Sequence, residues 1–373
     1  MKPSDSFAPE EISRARSYHR PLYLALFADR ASQLAVLALI AFGPPGDWLW
    51  AATGGPWWAR AFELTVLILV ASALVRLPLS AWRGWVWERR WGFSTQSLGA
   101  WLGDVAKGLS LGAVLAGLGL TALVWSARVW PTWWPVPAAL GAAALTLLLS
   151  VLAPLLFERL FNRFEPLADQ ELARDLHDLS VQAGVPVRTT LVADASRRTT
   201  KHNAYVSGLG PTRRLVLYDT LLRDSPVPEL RGVVAHELGH RRFGHVARGT
   251  ALAMLGAAAA VIALSVVFSW DGLVGAAGAD GPGDPRIVPL VLLVLWLLEI
   301  GSLPFDTWLS RRWERVADRF AVELTSDPAT MEHMHRRLAL ANLADLDPPR
   351  PVYLLLFTHP TPPERIAAAR MGT

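Results

Sequence analysis

Residues 233–240 read Val-Val-Ala-His-Glu-Leu-Gly-His, and this motif constrains both the fold and the chemistry of the rest of the chain. In a helix, residues four apart share a face, so His236 and His240 can offer two imidazole nitrogens to one ion. Glu237 then lies at the edge of that face, within reach of a metal-bound water. A zinc hydrolase requires two neutral nitrogen ligands, an open coordination position and a carboxylate that accepts a proton. The alternative interpretation is a solvated charged helix that carries two histidines by chance.

The sequence on either side of the motif places it beside a membrane. Val233, Val234 and Leu238 give the helix an apolar side, which predicts a packed helix ending close to Gly249. An uncharged run of about 20 residues, the length that crosses a bilayer as a helix, begins at once with Thr250. We therefore expect the metal site to lie near the membrane surface.

The composition predicts a mainly α-helical, polytopic membrane protein. Of 373 residues, 52% are hydrophobic and only 18% are charged, which is little charge for a soluble enzyme of this size. Six apolar stretches are long enough to cross a bilayer as helices. They cover approximately Pro21–Phe42, Phe62–Trp82, Gly108–Ala127, Val136–Phe157, Thr250–Trp270 and Ile287–Phe305.

The charges of the loops predict the orientation. Six spans place both termini and segment 158–248 on one side, which carries most of the arginines, whereas the opposite loops carry mainly aspartates. The positive-inside rule makes the His-Glu side cytoplasmic. The composition, rich in Ala, Leu, Arg and Trp, suggests a high-GC bacterial source, so we expect the inner membrane. Basic runs interleaved with aromatic residues, which are typical of a nucleic-acid groove, are absent, and we expect no nucleic-acid partner.

The chain divides into two regions in this interpretation. Residues 1–157 form an N-terminal region of four spans, and residues 158–373 form a metalloprotease domain with two further spans at about 250–270 and 287–305. The polar segment of that domain contains a helix-like stretch, Asp169–Ala183, whose leucines share one face. Val187–Val192 reads as a strand, and Asn203–Tyr218 reads as two short strands joined by a Gly-Pro turn.

A third metal ligand is needed, because a catalytic zinc takes three protein ligands and a water. The chain has no cysteine, so the ligand must be His, Asp or Glu. His245 lies one residue short of the metzincin spacing, in which Val246 would be histidine, and is expected to orient or pack.

Glu314 is the better candidate for the third ligand. Glu314 and Asp318 share a helix face, so Glu314 can bind the metal while Asp318 accepts the free N–H of a ligating histidine. The alternative is surface pairing of the two carboxylates with neighbouring arginines such as Arg315.

These motifs resemble the integral-membrane zinc metalloproteases typified by the type 1 CaaX prenyl protease and, more loosely, the bacterial heat-shock membrane protease. The resemblance covers most of the chain. It includes Glu88–Gln96 with Asp104 and Lys107, Leu160–Phe164, Asn203–Gly210, the zinc helix, Glu314 with Asp318, and Thr358–Arg365.

The resemblance implies a gluzincin-type α+β protease domain with a small β-sheet and one Zn²⁺ per chain. His236, His240 and Glu314 would be the ligands, Glu237 the general base, and His359 a donor to the tetrahedral intermediate. Substrate-binding residues would be Asn203, Ala204, Tyr205 and Arg365, the first three on an edge strand that pairs with an extended peptide. Arg365 can equally form an ion pair. Eukaryotic members have seven spans, and we count six.

The function predicted from these features is zinc-dependent cleavage of peptide bonds near the cytoplasmic membrane face, in processing or quality control of membrane-associated peptides. A membrane transporter or channel is the first alternative, because Asp29, Arg76 and Glu299 interrupt the apolar runs. A non-catalytic membrane scaffold with an incidental metal site is the second.

Overall fold

Long helices form the first half of the molecule. The computed structural model describes residues 3–152, 158–208 and 210–371. The helices of this half are α1 (Pro9–Phe42), α2 (Pro44–Ala51), α3 (Trp57–Ala81), α4 (Glu88–Arg90), α5 (Leu98–Val129) and α6 (Pro135–Leu152). A π-helical turn, Trp82–Trp87, joins α3 to α4 without a break.

The second half mixes shorter helices with four strands. Its helices are α7 (Glu158–Phe161), α8 (Gln170–Gln182), α9 (Asp219–Asp224), α10 (Val227–Arg242), α11 (His245–Phe268), α12 (Asp271–Ala276), α13 (Val288–Thr325), α14 (Pro328–Ala341), α15 (Arg350–Leu356) and α16 (Pro362–Arg370). Its strands are β1 (Phe164–Pro166), β2 (Thr189–Ala193), β3 (Ala204–Ser207) and β4 (Arg214–Tyr218).

Six helices in the described part of the chain are long and apolar enough to cross a membrane, as predicted. They are α1, α3 with its extension to Arg90, α5, α6, α11, and α13 with the turn that precedes it. The predicted fourth span reaches Phe157, but residues 153–157, and with them the predicted domain boundary, lie outside the described residues.

The sheet has the order β1-β2-β4-β3, so β3 is an edge strand. β2 and β4 are parallel, whereas β1 and β3 run antiparallel to their neighbours. Leucines of α8 and apolar residues of α10, α13 and α14 cover the sheet in one core. The leucine face predicted for α8 is present, and β2, β3 and β4 overlap the predicted strand regions, whereas β1 was not predicted.

The zinc helix ends earlier than predicted. α10 stops at Arg242, not near Gly249, and α11 begins at His245 after Gly244 with φ of +65°. Glycine takes this left-handed conformation without steric strain, so the chain turns here, five residues before the predicted helix end. The fifth span therefore starts at His245, five residues after His240, so the His-Glu motif lies beside the beginning of this span.

α13 is one unbroken helix of 38 residues. Its first half is the apolar sixth span, and its second half carries Glu314 and Asp318 against α10. A single rigid element therefore connects the membrane region to the candidate metal site.

Candidate metal centre and peptide-binding edge

α10 and α13 pack closely because Gly239 has no side chain. A Cβ at this position would lie 3.1 Å from Ala317 Cα, tighter than ordinary packing. The apolar side of α10 predicted from Val233, Val234 and Leu238 is buried in the sheet core. His236 and His240 point from α10 toward Glu314 on α13.

Three side chains converge between the two helices. His236 Nε2 lies 3.1 Å from His240 Nε2, and each lies 3.2 Å from a different oxygen of Glu314. One potential ligand atom from each residue falls within 4.8 Å of the others, the only such group of three His or acidic side chains in the described part of the chain. The structure thus brings together the three residues that the sequence nominated as ligands.

The donor set suits a divalent metal ion. Glu314 Oε2 is buried and, among the described residues, makes no hydrogen bond, although His236 Nε2 lies near it. A buried carboxylate oxygen without a partner is costly, and a metal ion would supply the missing interaction. Two carboxylates, of Glu314 and Asp318, face the guanidinium of Arg365, which leaves one negative charge between these three groups when the imidazoles are neutral. Two imidazoles with a carboxylate match zinc.

Electrostatics also favour a cation at His236. Burial opposes a charged imidazole, but its interactions with Asp318 and Glu314 outweigh burial and raise the pKa of His236 to about 10. A proton and a metal ion compete for the same nitrogen, so metal binding at this site releases protons.

Each candidate histidine ligand has an orienting partner on its other nitrogen. His236 Nδ1 lies 2.9 Å from Asp318 Oδ1, the contact predicted for Asp318. His240 Nδ1 lies 3.0 Å from Nδ1 of His245, whose ring stacks flat on Trp313 at 5.1 Å. His245 falls outside the three-residue group and packs against a ligand candidate instead.

Arg365 forms the ion pair that the sequence left as one of two alternatives. Its Nε donates to Asp318 Oδ2 at 2.9 Å and its Nη2 to Asp318 Oδ1 at 2.5 Å. A capping box starts α16, in which Thr361 N donates to Glu364 Oε2 at 2.7 Å, and the first turn then directs Arg365 inward. Arg365 also lines the central cavity, so its predicted substrate contact stays a prediction.

His335 is a neighbour of the site that sequence reasoning missed. It is buried on α14, with Nε2 3.7 Å from Asp318 Oδ1. Burial and then the charge of Arg365 lower the pKa of His335 to about 3, so its imidazole is neutral near pH 7. A histidine on the buried side of an amphipathic helix carries no sequence signal that distinguishes it from an ordinary core residue.

Glu237 lies between two cavities beside the ligand group. The central cavity, of about 460 Å³, is bounded by His236, Glu237, His359, Arg365 and Ala204 among others. A second cavity lies along Tyr205, His240 and Glu237. Burial raises the pKa of the Glu237 carboxyl above its ordinary value of 4.5, which strengthens it as a base. The position and the pKa both fit proton transfer to and from a molecule in these cavities.

The predicted substrate residues line the same space. Asn203 and Ala204 border the central cavity and Tyr205 the second, so β3 runs past the ligand group with its free edge exposed to both. Asn203 Oδ1 accepts a hydrogen bond from Ala204 N at 3.0 Å.

His359 reaches the site from the opposite wall. Its Nε2 lies 3.3 Å from Glu314 Oε1, and its side chain is 56% exposed. Arg311 of α13 fixes the chain just before His359, because its Nη1 donates to Tyr353 O at 3.0 Å and to Phe357 O at 2.6 Å. The family resemblance implied a role for His359 at this site, but spacing alone could not place it here, because the contact joins residues 45 positions apart with α14 and α15 between them.

Comparison with known proteins identifies both halves of the chain. The model of peptidase family M48 matches residues 166–372, more than half of the chain. The model of the CAAX prenyl protease N-terminal region, described as five membrane helices, matches residues 2–163.

Relatives and a solved structure agree with these matches. A Bacillus subtilis metalloprotease, YhfN, is 27% identical over 371 residues, covering 99% of this chain and 86% of the relative. A CAAX prenyl protease 1 homolog of Dictyostelium discoideum is 31% identical over 68% of this chain and 60% of its own length.

The crystal structure of Ste24p from S. mikatae superposes with a TM-score of 0.86 at 25% identity, covering 98% of this chain and 90% of that one. The family implies a metal, typically zinc, and a peptide or protein substrate. With its candidate ligands assembled beside six membrane-spanning helices, the chain belongs to peptidase family M48 and is a multi-pass membrane metalloprotease.

Proposed function

We propose that the protein is a zinc-dependent endopeptidase that cleaves membrane-associated peptides at the cytoplasmic face of the bilayer, with Glu237 as the general base. The observation that carries this proposal is the convergence of His236, His240 and Glu314 around a buried oxygen, Glu314 Oε2, that makes no hydrogen bond to any described residue. These three residues would hold one zinc ion. When bound, zinc would polarise a water molecule and the scissile carbonyl group.

Glu237 performs the proton transfers in this proposal. Its carboxylate accepts a proton from the attacking water and delivers it to the nitrogen of the leaving amine, so no net proton is consumed by the side chain. Burial raises the pKa of Glu237, which favours acceptance of the proton at neutral pH. His359, half exposed opposite Glu314, donates an N–H to the carbonyl oxygen as negative charge develops there.

The peptide is held by main-chain pairing with β3. An edge strand binds an extended peptide through its unpaired N–H and C=O groups, whatever the side chains of the peptide. Asn203, Ala204 and Tyr205 supply this edge, and the adjoining cavities accept the side chains. Arg365 contacts the peptide or orients Asp318. The substrates would be peptides of membrane proteins, in processing or quality control.

Purified protein in lipid nanodiscs, loaded with zinc, tests the activity directly. We expect hydrolysis of a quenched fluorescent peptide, loss of hydrolysis with a chelator, and recovery with added zinc at about one ion per chain. Glu237→Gln should retain zinc and lose about 10²–10⁴-fold in turnover, since only the proton acceptor is removed. Unchanged turnover in Glu237→Gln would overturn the role of this residue.

The cytoplasmic orientation is tested separately. The chain has no cysteine, so single cysteines report their own accessibility. In right-side-out bacterial spheroplasts, an impermeant maleimide should label Asp280→Cys in the loop before α13 and leave Arg223→Cys on α9 unlabelled until lysis. Both positions are exposed in the structure. The reverse pattern would place the site on the other side.

A further inference from the structure

The free edge of β3 is short, because other residues of the chain already bond to both of its ends. In an antiparallel ladder, every second residue points its peptide groups away from the partner strand. Asn203 O accepts from Tyr218 N at 3.0 Å, and Tyr205 pairs with Val216, so His202, Ala204 and Val206 direct their peptide groups to the free edge.

Asn342 occupies the first end of this edge. Its Oδ1 accepts from His202 N at 2.8 Å, and its Nδ2 donates to His202 O at 3.0 Å. A residue of a neighbouring strand would make the same pair of bonds, so the side-chain amide stands in for one residue of a bound peptide. Asn342 follows α14 and borders both the central cavity and a larger cavity between the membrane helices α1, α3 and α5.

Arg241 occupies the second end. Its Nε donates to Val206 O at 3.1 Å, and its Nη2 bonds to the same oxygen. Arg241 lies four residues after Glu237 on α10, about 6 Å along the helix axis.

Little of the edge remains between these two residues. Ala204 N already bonds to Asn203 Oδ1, which leaves Ala204 O as acceptor and Val206 N as donor within the described part of the chain. Building on the proposed peptidase function, we propose that Asn342 and Arg241 are specificity-determining residues that prevent a bound peptide from pairing with β3 beyond Ala204 and Val206. Main-chain recognition is then confined to the residues that flank the scissile bond.

Peptide binding to the full-length, zinc-loaded Glu237→Gln protein in nanodiscs measures this limit without hydrolysis. Fluorescein-labelled peptides with a constant four-residue centre are extended by one alanine at a time, either at the N-terminus or at the C-terminus. Fluorescence anisotropy gives Kd for each length. With both ends occupied, Kd should stop improving after the first few residues in each series.

Replacing Asn342 or Arg241 should allow Kd to keep improving with peptide length in only one of the two peptide series. Asn342→Leu removes both bonds to His202, so longer peptides of one series should bind about fivefold more tightly, as expected for one or two new main-chain hydrogen bonds. Arg241→Met should do the same for the other series. Asn342→Gln keeps an amide and should retain the limit. Arg242→Met, on the exposed face of α10, and Asn162→Leu, at the remaining asparagine, are matched controls that should change neither series.

Zinc stoichiometry and thermal unfolding identify any variant that fails to fold, and Asn342→Ser, too short to bond both groups of His202, then replaces Asn342→Leu. The proposal would be overturned if a variant bound peptides of every length more weakly by the same factor. It would also be overturned if Kd stopped improving at the same peptide length in both variants as in the parent. Absence of zinc or of all peptide binding in the parent would instead count against the proposed peptidase function.

Discussion

Two clusters of charged side chains interrupt apolar surroundings in this molecule, and they differ in how completely they are paired. Between the membrane helices, Asp29 receives both Nε and Nη2 of Arg76, at 2.8 and 2.6 Å, while Arg76 Nη1 bonds to Gln33 at 2.7 Å. At the junction of α10 and α13, His236, His240 and Glu314 point at a common centre, and Glu314 Oε2 has no hydrogen-bond partner among the described residues.

The difference separates structural charges from a ligand site. A buried ion pair with every donor directed at an acceptor satisfies itself and needs nothing further. A group whose ligand atoms converge on one centre, and which includes a buried carboxylate oxygen without a hydrogen bond among the described residues, is suited to hold a cation. The charges that suggested a transporter are paired in this way: Asp29 with Arg76 at 2.6 Å, and Glu299 with Arg30 at 2.9 Å at a more exposed position. The charges that suggested an enzyme belong to the converging group.

The largest expected effect comes from removing one converging ligand. His240→Ala should lose the zinc and fall below the activity left by Glu237→Gln, which itself loses about 10²–10⁴-fold. Metal analysis by mass spectrometry and the peptide assay measure both effects. Asp29→Asn is the matched control from the fully paired cluster and should retain one zinc per chain. Full zinc occupancy in His240→Ala would mean that the convergence is not the metal site.

A smaller effect is expected from the residue that orients a ligand. Asp318→Asn removes the charge beside His236 Nδ1 but keeps the shape, and should weaken zinc binding about 10–100-fold. Competition with a fluorescent chelator gives the affinity. Asp347→Asn, on the exposed ion pair with Arg16, is the control. Unchanged affinity in Asp318→Asn would show that the contact with His236 does not support the metal.

The pH dependence tests the base at the same site. Because burial raises the pKa of Glu237 above 4.5, the base becomes protonated at a higher pH than an ordinary glutamate. Below that pKa, kcat/KM should fall about tenfold per pH unit. Zinc content is measured at each pH, since protonation of His236 also releases metal. An acidic fall in kcat/KM with an apparent pKa at or below 4.5, while zinc is retained, would contradict the raised pKa of Glu237.

The smallest effect on activity is expected in the membrane cluster. Asp29→Asn leaves Arg76 without its charge partner, which lowers the free energy of unfolding by on the order of 3 kcal/mol, since one buried charge loses its counter-ion. Zinc affinity and kcat/KM at 25 °C should stay within about twofold if the cluster is structural. Thermal unfolding in nanodiscs and the peptide assay separate the two quantities. Loss of hydrolysis at constant zinc content would give the cluster a part in the reaction.

The spans and the short strands were predictable because their signals are local. An uncharged run of about 20 residues has few alternatives to a membrane helix, and alternating apolar residues indicate a strand. The predicted end of the zinc helix was wrong because Gly244 does not interrupt the pattern of apolar and polar residues. It ends the helix only through its positive φ. That φ depends on how α11 packs, which no local pattern records.

The sequence by itself predicted the metal chemistry: His236 and His240 are four residues apart on one helix, which gives them a common face, and Glu237 lies at the edge of that face. It also nominated Glu314 and Asp318, again through a spacing of four. Only the tertiary structure decided that one unbroken helix, α13, carries both the sixth span and Glu314, that His335 adjoins the site, and that Asn342 and Arg241 bond to the ends of β3. These contacts join distant parts of the chain through packing, and packing depends on shape rather than on any repeat in the sequence.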